Sequence, residues 1–236
     1  MKSLCVMPVW NQAKQLPKLL EASKGFFGGD DQLLIVNNGS DDGSRELIEA
    51  SGFNYINLER NHGIGYALRI GAERALEGGY EIVANIAGNG KMVPAEIARV
   101  VGPIREDSAD YVTGSRFLPG GQYPNLTTFR RWGIPLVVNN VVRILFFHKL
   151  TDATCGLRAF HVKLLADPKV DWEANWLHRY QFEYYLYAKA IRLGYRCQEV
   201  PGSMIYPKQG EISKIPPIVG WWQLLEAWIK VGLRLK

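Results

Sequence analysis

Cysteine is scarce in this chain, and its placement builds no site. Cys5, Cys155 and Cys197 are three in number and far apart. No CxxC or Cys/His metal spacing accompanies them, so a reducing compartment is expected. Long apolar runs are missing too: each is broken by Arg, Asn, His or Lys before the roughly 20 residues that cross a bilayer. The opening "MKSLCVMPVW" has neither the apolar segment nor the cleavage site of a signal peptide and reads as a strand. These absences predict a cytoplasmic protein, soluble or peripheral at a membrane. Repeats and low-complexity segments are also absent, and His62, His148, His161 and His178 are too scattered to suggest a metal. A more local absence is the sharpest. The stretch "ANIAGNGKMVP", residues 84–94, follows a strand-like run and precedes a helix, yet holds no carboxylate and carries Lys91 in its middle.

What is present describes a folded protein. Hydrophobic residues make up 47% and charged residues 22% of the 236, ordinary globular composition. That length holds one large domain or two small ones, and we read a single domain over 1–236. The net charge of +5 mildly favours an anionic partner: phosphates, a nucleotide, an acidic membrane surface or nucleic acid.

The first half alternates strand and helix signals. "SLCVMPVW", "QLLIVNN", "YINLER", "YEIVANIA" and "ADYVTGSRF" read as strands. Between them, "QAKQLPKLLEASK", "RELIEAS", "GIGYALRIGAERALEGG" and "PAEIARVVGPI" read as helices, the last opening on Pro. Strands joined by such helices imply parallel pairing in an α/β sandwich. Ligands of such sheets bind beyond the carboxyl ends of the strands, which gathers residues 8–12, 37–44, 87–91 and 114–116 around one crevice. In the second half, "FRRWGIPLVVNNVVRILFFHKL" is helix-like and "TDATCGLRAF" a polar loop. "RYQFEYYLYAKAIRLGY" is an amphipathic helix, "RCQEVPGSMIY" a strand and "GWWQLLEAWIKVGLRLK" a terminal amphipathic helix. In "NNGSDDGS", Gly39 and Gly43 supply turn conformations while Asn and Ser side chains bond local backbone. Such a loop can hold the edge of a uracil-like base. Gly63 and Gly65 let a helix start approach either a phosphate or a neighbouring strand.

In order along the chain, "VMPVWNQAKQLPKLLEA", "VNNGSDDGS", "NHGIGYALRIGAERA", "YVTGSRF", "TDATCGLRAF", "GYRCQEVP" and "QGEISK" resemble the motifs of the family 2 glycosyltransferases. Within them the pattern is similar to the polyprenyl-phosphate (dolichyl-phosphate) mannose synthases. The resemblance implies the GT-A fold, a nucleotide-binding α/β sandwich whose mostly parallel central sheet is flanked by helices. It implies a donor half over 1–118 and an acceptor half over 119–236, divided at "LPGGQYPN", and transfer of a hexose from a nucleotide-sugar to a polyprenyl phosphate. Carried over residue by residue, it assigns the donor nucleotide to Pro8, Val9, Asn11, Gln12, Asn37, Asn38, Ser40 and Gly65. Ala87, Gly88 and Asn89 fall on the metal motif. Lys91, Arg116, Asp152 and Lys214 become the catalytic candidates, and Arg158, Glu183 and Lys208 the acceptor candidates.

The sequence departs from the family where acids bind metal. Aligned on Pro94, the family's D-x-D-x-Q falls on Ala87, Gly88, Asn89, Gly90 and Lys91, so both aspartates are gone. The carboxylate after Asn in the first motif is Gln12, the Asp pair of the turn is Asn37 and Asn38, and Tyr185 follows Glu183 where a second acid is common. Paired carboxylates bind the divalent cation that neutralises a sugar diphosphate. Without them no metal cofactor is expected, and Lys91 is expected to take the cation's place, with Arg116, Lys208 and Lys214 nearby. One ammonium–phosphate pair at about 4 Å contributes about 4 kcal/mol at an effective dielectric near 20, before desolvation. The competing readings are an inactive nucleotide-binding homologue and a Lys91 turned to solvent.

An ionised phosphate acceptor requires no general base, whereas a hydroxyl acceptor does. If the acceptor is a hydroxyl of a glycan or of a hydroxymethylated nucleic-acid base, Asp152 or Glu183 becomes the base; otherwise Asp152 orders its turn. Arg158 and Lys214 suit a phosphate clamp. Both the 130–150 segment and the terminal helix mix Trp, Leu and Ile with Arg and Lys, which suits an anionic membrane surface as well as core packing. Trp221, Trp222 and Trp228 make the terminal helix the stronger membrane candidate. Nothing in the sequence indicates an oligomeric state.

Overall fold

The computed structural model describes residues 1–207 and 219–235. Seven strands form one sheet: β1 (Ser3–Val9), β2 (Asp31–Asn38), β3 (Asn54–Leu58), β4 (Ile82–Asn85), β5 (Tyr111–Ser115), β6 (Arg158–His161) and β7 (Cys197–Pro201). Their spatial order is β3-β2-β1-β4-β6-β5-β7. All pairings are parallel except those of β6, which runs antiparallel between β4 and β5. The helices are α1 (Leu16–Ser23), α2 (Ser44–Glu49), α3 (Ile64–Glu77), α4 (Ile97–Arg105), α5 (Thr128–Gly133), α6 (Asn139–Phe146), α7 (Gln181–Leu193) and α8 (Val219–Gly232). A π-helical turn, Ile134–Val138, joins α5 to α6.

The period-two alternation of β1 shows why the sheet is covered on both faces. Leu4 and Val6 join one buried cluster, with α3, α7 and α8. Cys5, Met7 and Val9 join a second, with α1 and α4. Helix α4 buries Ile97, Val100, Val101 and Ile104, a stripe at helical spacing in which each side chain contributes about 2 kcal/mol. The α/β sandwich expected from the sequence is therefore present, with every first-half element in its place.

Two expectations are corrected. "TDATCGLRAF" is not wholly a loop, because its last residues begin β6. That strand is only four residues long and starts on a buried arginine, so no apolar alternation announces it. The terminal helix is not a free interfacial helix. Leu224, Ala227, Trp228 and Val231 are buried, and the Trp228 ring packs edge-on against Phe146 and Tyr187. Trp222 remains exposed, and the Trp221 side chain lies outside the described residues. Among the described residues no helix is long and apolar enough to cross a membrane.

Candidate active site

The carboxyl ends of β1, β4 and β5 open into a crevice of about 1110 Å³. The loop after β1 is laced to the loop after β2. Asn11, in the left-handed region at φ 51°, donates its side-chain amide to Asp41 at 2.7 Å and accepts from the Asp41 amide at 3.0 Å. The Asn11 backbone amide donates to Ser40 Oγ, that of Gln12 to Ser44 Oγ and that of Ala13 to Asp42. This lacing holds Pro8, Val9, Asn11 and Gln12 along the crevice wall, with Asn38 beside them.

Three of the expected nucleotide contacts stand behind that wall. Asn37 is buried, donating to Asn57 Oδ1 and accepting from the Ser40 amide. Ser40 serves the lacing. Gly65 is a packing glycine, since a Cβ there would lie 2.0 Å from the Leu177 carbonyl oxygen and 2.3 Å from that of Arg179. Asn38 lines the crevice, but its amide already donates to Asn61 Oδ1 and accepts from the His62 amide.

The carboxylate-free loop after β4 is pinned from both sides. Gly88 donates its amide to the Pro8 carbonyl at 3.1 Å, an approach that a Cβ would obstruct, 2.6 Å from Val9. Asn89 Oδ1 accepts from the Lys91 amide at 3.1 Å. The Lys91 carbonyl accepts from Ile205 at 2.7 Å. The half-buried Lys91 side chain lines the crevice, its ammonium 5.6 Å from the centre of the Tyr206 ring.

Tyr206 links this loop to a buried ion pair. Its hydroxyl accepts from Arg116 Nη1 at 2.5 Å. Arg116 also donates Nε to Asp152 Oδ2 at 2.6 Å, Nη2 to Asp152 Oδ1 at 2.7 Å and Nη2 to Thr154. Burial alone would push the Asp152 carboxyl up, but the Arg116 charge and its hydrogen bonds outweigh that and hold it below the ordinary carboxylate range. Asp152 is 0% exposed; of the two roles expected of it, base toward a hydroxyl acceptor or order in its turn, the geometry shows the carboxylate holding Arg116. Arg116 itself does line the crevice, with its charge offset by Asp152.

Arg158 and Glu183, expected on the acceptor side, lie outside the crevice lining. Arg158 is buried beneath the crevice, donating to the carbonyls of Cys155, Ala153 and Glu183 and stacking 4.8 Å from the Tyr184 ring centre. It ties the 151–157 loop to α7. Glu183 accepts from Asn85 at 2.8 Å and lies outside the crevice lining. Burial pushes its carboxyl up, with Arg158 and Asn85 opposing in part. Tyr185, where a second acid is common, is buried, and its hydroxyl accepts from the Asp171 amide. Lys208 and Lys214 lie outside the described residues.

The structure adds residues that the motifs did not name. Lys14, Arg130 and Arg179 line the crevice, as do Tyr180, Tyr184 and Tyr206. Tyr206 was within reach of sequence reasoning, because it lies in the loop beyond the carboxyl end of β7, which stops at Pro201. With Lys91 and Arg116, the described lining carries five cationic residues and no Asp or Glu. Nor do the described residues contain a group of three or more His, Cys, Asp or Glu placed to hold a metal ion.

A mostly parallel α/β sheet with a crevice at its carboxyl ends is here the GT-A architecture of glycosyltransferases. The sequence profile described as "Glycosyl transferase family 2" matches residues 4–167, and the chain belongs to that family; it is a glycosyltransferase. Its relatives include an undecaprenyl-phosphate mannosyltransferase of Micrococcus luteus, 28% identical over 247 residues covering 100% of this chain and 99% of the relative. A UDP-N-acetylglucosamine–dolichyl-phosphate N-acetylglucosaminyltransferase of Methanococcus voltae is 30% identical over 220 residues, covering 85% and 84%. Among solved structures, glucosyl-3-phosphoglycerate synthase from Mycobacterium tuberculosis, in complex with Mn²⁺, uridine diphosphate and phosphoglyceric acid, superposes with a TM-score of 0.68 at 18% identity. That match covers 96% of this chain and 78% of the other, and it speaks for the fold.

Proposed function

We propose that this glycosyltransferase moves a hexose from a nucleotide-sugar to a polyprenyl phosphate, and that cationic side chains hold the donor diphosphate without a divalent ion. The observation that carries the reading is the described crevice lining, with its five cationic residues and no carboxylate. The loop that matches the metal motif does not fit a divalent cation. Asn89 Oδ1 already accepts from the Lys91 amide, no acid is among the described lining residues, and Lys91 brings positive charge to the same place.

In this reading residues 1–118 hold the donor and residues 119–236 the acceptor. Lys91 faces the diphosphate, where its fixed charge stabilises the negative charge that builds on the leaving nucleoside diphosphate. Tyr206 and Arg116 brace the loop that carries it. A phosphate oxygen of the acceptor attacks the anomeric carbon as the bond to the diphosphate oxygen breaks, and the electron pair leaves with the nucleotide. No proton has to be removed from the nucleophile, which suits a crevice whose described lining holds no Asp or Glu. Relatives named for undecaprenyl-phosphate and dolichyl-phosphate support the same acceptor class. For a hydroxyl acceptor, His62 is a candidate base among the described lining residues, stacked on Tyr66.

Mass spectrometry of the products separates the two. With a panel of nucleotide-sugars, polyprenyl phosphate is expected to gain one hexosyl unit and the free polyprenol none. Transfer to the alcohol, or to neither lipid, overturns the proposal.

A further inference from the structure

The strand motif "GYRCQEVP" carries one acid that the crevice chemistry does not use. Glu199 lies in β7 opposite Thr113 of β5, two residues short of the carboxyl end of each strand. Val200 packs against the core cluster of α1 and α4, so alternation along the strand sends Glu199 to the other face. There its half-buried carboxylate accepts three hydrogen bonds from two consecutive residues. Oε2 takes the Thr151 amide at 2.7 Å and the Thr151 hydroxyl at 3.0 Å, and Oε1 takes the Asp152 amide at 2.8 Å. The Thr151 hydroxyl also meets Ser115 Oγ at 2.6 Å. A second grip comes from α6, where Asn139 donates to the Thr151 carbonyl at 2.7 Å and accepts from the Ala153 amide at 3.0 Å. The backbone N–H of Asp152 is left to Glu199, and Asp152 is the residue whose carboxylate fixes Arg116. A carboxylate suits this place, because the two backbone N–H groups that face it can only donate. A glutamine would set its own NH2 against one of them.

We propose that Glu199 is a positioning residue for sugar transfer: by fixing the Asp152 peptide it sets Arg116, and through Arg116 and Tyr206 the loop that presents Lys91. The links are short. Asp152 holds the Arg116 guanidinium with two charge-assisted bonds and accepts from the Arg116 amide as well. Arg116 donates to the Tyr206 hydroxyl. Next to Tyr206, Ile205 donates its amide to the Lys91 carbonyl, and the Lys91 ammonium stands over the Tyr206 ring. The proposal rests on the reading that Lys91 acts on the donor diphosphate. It extends that reading to an edge strand, β7, none of whose residues is in the described crevice lining. Misplacing a catalytic group by about 1 Å costs about a hundredfold in rate, so a bond this far from the chemistry can be read in kcat.

Steady-state kinetics of the full chain test this, with the nucleotide-hexose that the mass-spectrometric panel selects and a short-chain polyprenyl phosphate in detergent. Glu199→Gln is expected to lower kcat about tenfold to a hundredfold and to leave both KM values within about twofold of wild type. The loss should vanish when Lys91 is already gone: Lys91→Ala/Glu199→Gln should turn over within about twofold of Lys91→Ala alone. Glu199→Asp keeps both oxygens one methylene farther from the loop. Its kcat should fall between those of wild type and Glu199→Gln, and it carries the same comparison if the glutamine variant does not fold. Asp110→Asn controls for stability, because it breaks an ion-pair cluster with Arg196 and Lys163 at the opposite end of β5. It should lower the melting temperature and leave kcat unchanged. Wild-type kcat in Glu199→Gln, or losses that multiply in the double variant, overturn the proposal and leave the Lys91 reading standing. So does a kcat loss in Asp110→Asn as large as that in Glu199→Gln, since lost stability alone would then explain the rate. Wild-type kcat in Lys91→Ala removes the reading and the proposal together.

Discussion

Replacing Lys91 by alanine is expected to lower kcat/KM by about a hundredfold to a thousandfold, the cost of removing one preorganised group that stabilises developing negative charge. The drop should fall mainly on kcat, because the charge on the leaving diphosphate grows as the bond to the sugar breaks. Lys91→Arg keeps the charge and should retain activity within about tenfold of wild type, whereas Lys91→Gln should fail as alanine does. Folding should be little affected, since the loop is held by backbone bonds from Lys91 to Asn89 and from Ile205 to Lys91. An unchanged melting temperature beside the lost turnover would show this. Steady-state kinetics of the three variants decide the matter. Equal rates for Gln and Arg would mean that the charge at residue 91 does not act on the diphosphate.

Asp152→Asn is expected to cost about 3–5 kcal/mol of stability, because it leaves the Arg116 guanidinium buried beside a neutral amide. For a chain of this size that lowers the melting temperature by about 10 °C. Removing both charges as Arg116→Met/Asp152→Leu should recover most of the loss, since a well-packed apolar pair of similar volume is often neutral. Activity should not return with it, because Arg116 lines the crevice and holds the Tyr206 hydroxyl. The pH dependence follows from the sign of the shift. The Asp152 carboxyl is held below its ordinary value in the folded state. Its stabilisation is therefore complete above the ordinary carboxylate range and is lost as pH falls through the depressed folded value. The stability gap between wild type and Asp152→Asn should be full at neutral pH and close on acidification. Denaturant melts across pH measure it, and a gap that widens toward acid would reverse the assignment.

The fold was legible because β1 to β5 carry apolar runs separated by helices with recognisable starts and stops. The loops at residues 8–12, 87–91 and 116 could be gathered by the carboxyl-end rule, and they do line the crevice. What the sequence hid were contacts across the chain. Asp152 reads as a loop acid until β6 inserts beside β5 and brings it within hydrogen-bond distance of Arg116. Arg158 reads as a phosphate clamp because burial of a polar residue leaves no trace in local pattern. Asn37 and Ser40 have the residue types of a base-binding turn, yet Asn37 bonds Asn57 and its own turn while Ser40 laces two loops together. The terminal helix and the 128–146 segment have similar compositions, and only packing shows that α8 turns its Trp228 inward while α5 and α6 leave Phe129, Trp132 and Ile144 exposed.

The most direct measurement is the initial rate of sugar transfer in excess EDTA, compared with the same assay supplied with Mn²⁺. A crevice that neutralises the diphosphate with lysine and arginine should give rates that agree within about twofold. Turnover abolished by the chelator and restored by Mn²⁺ would contradict the account.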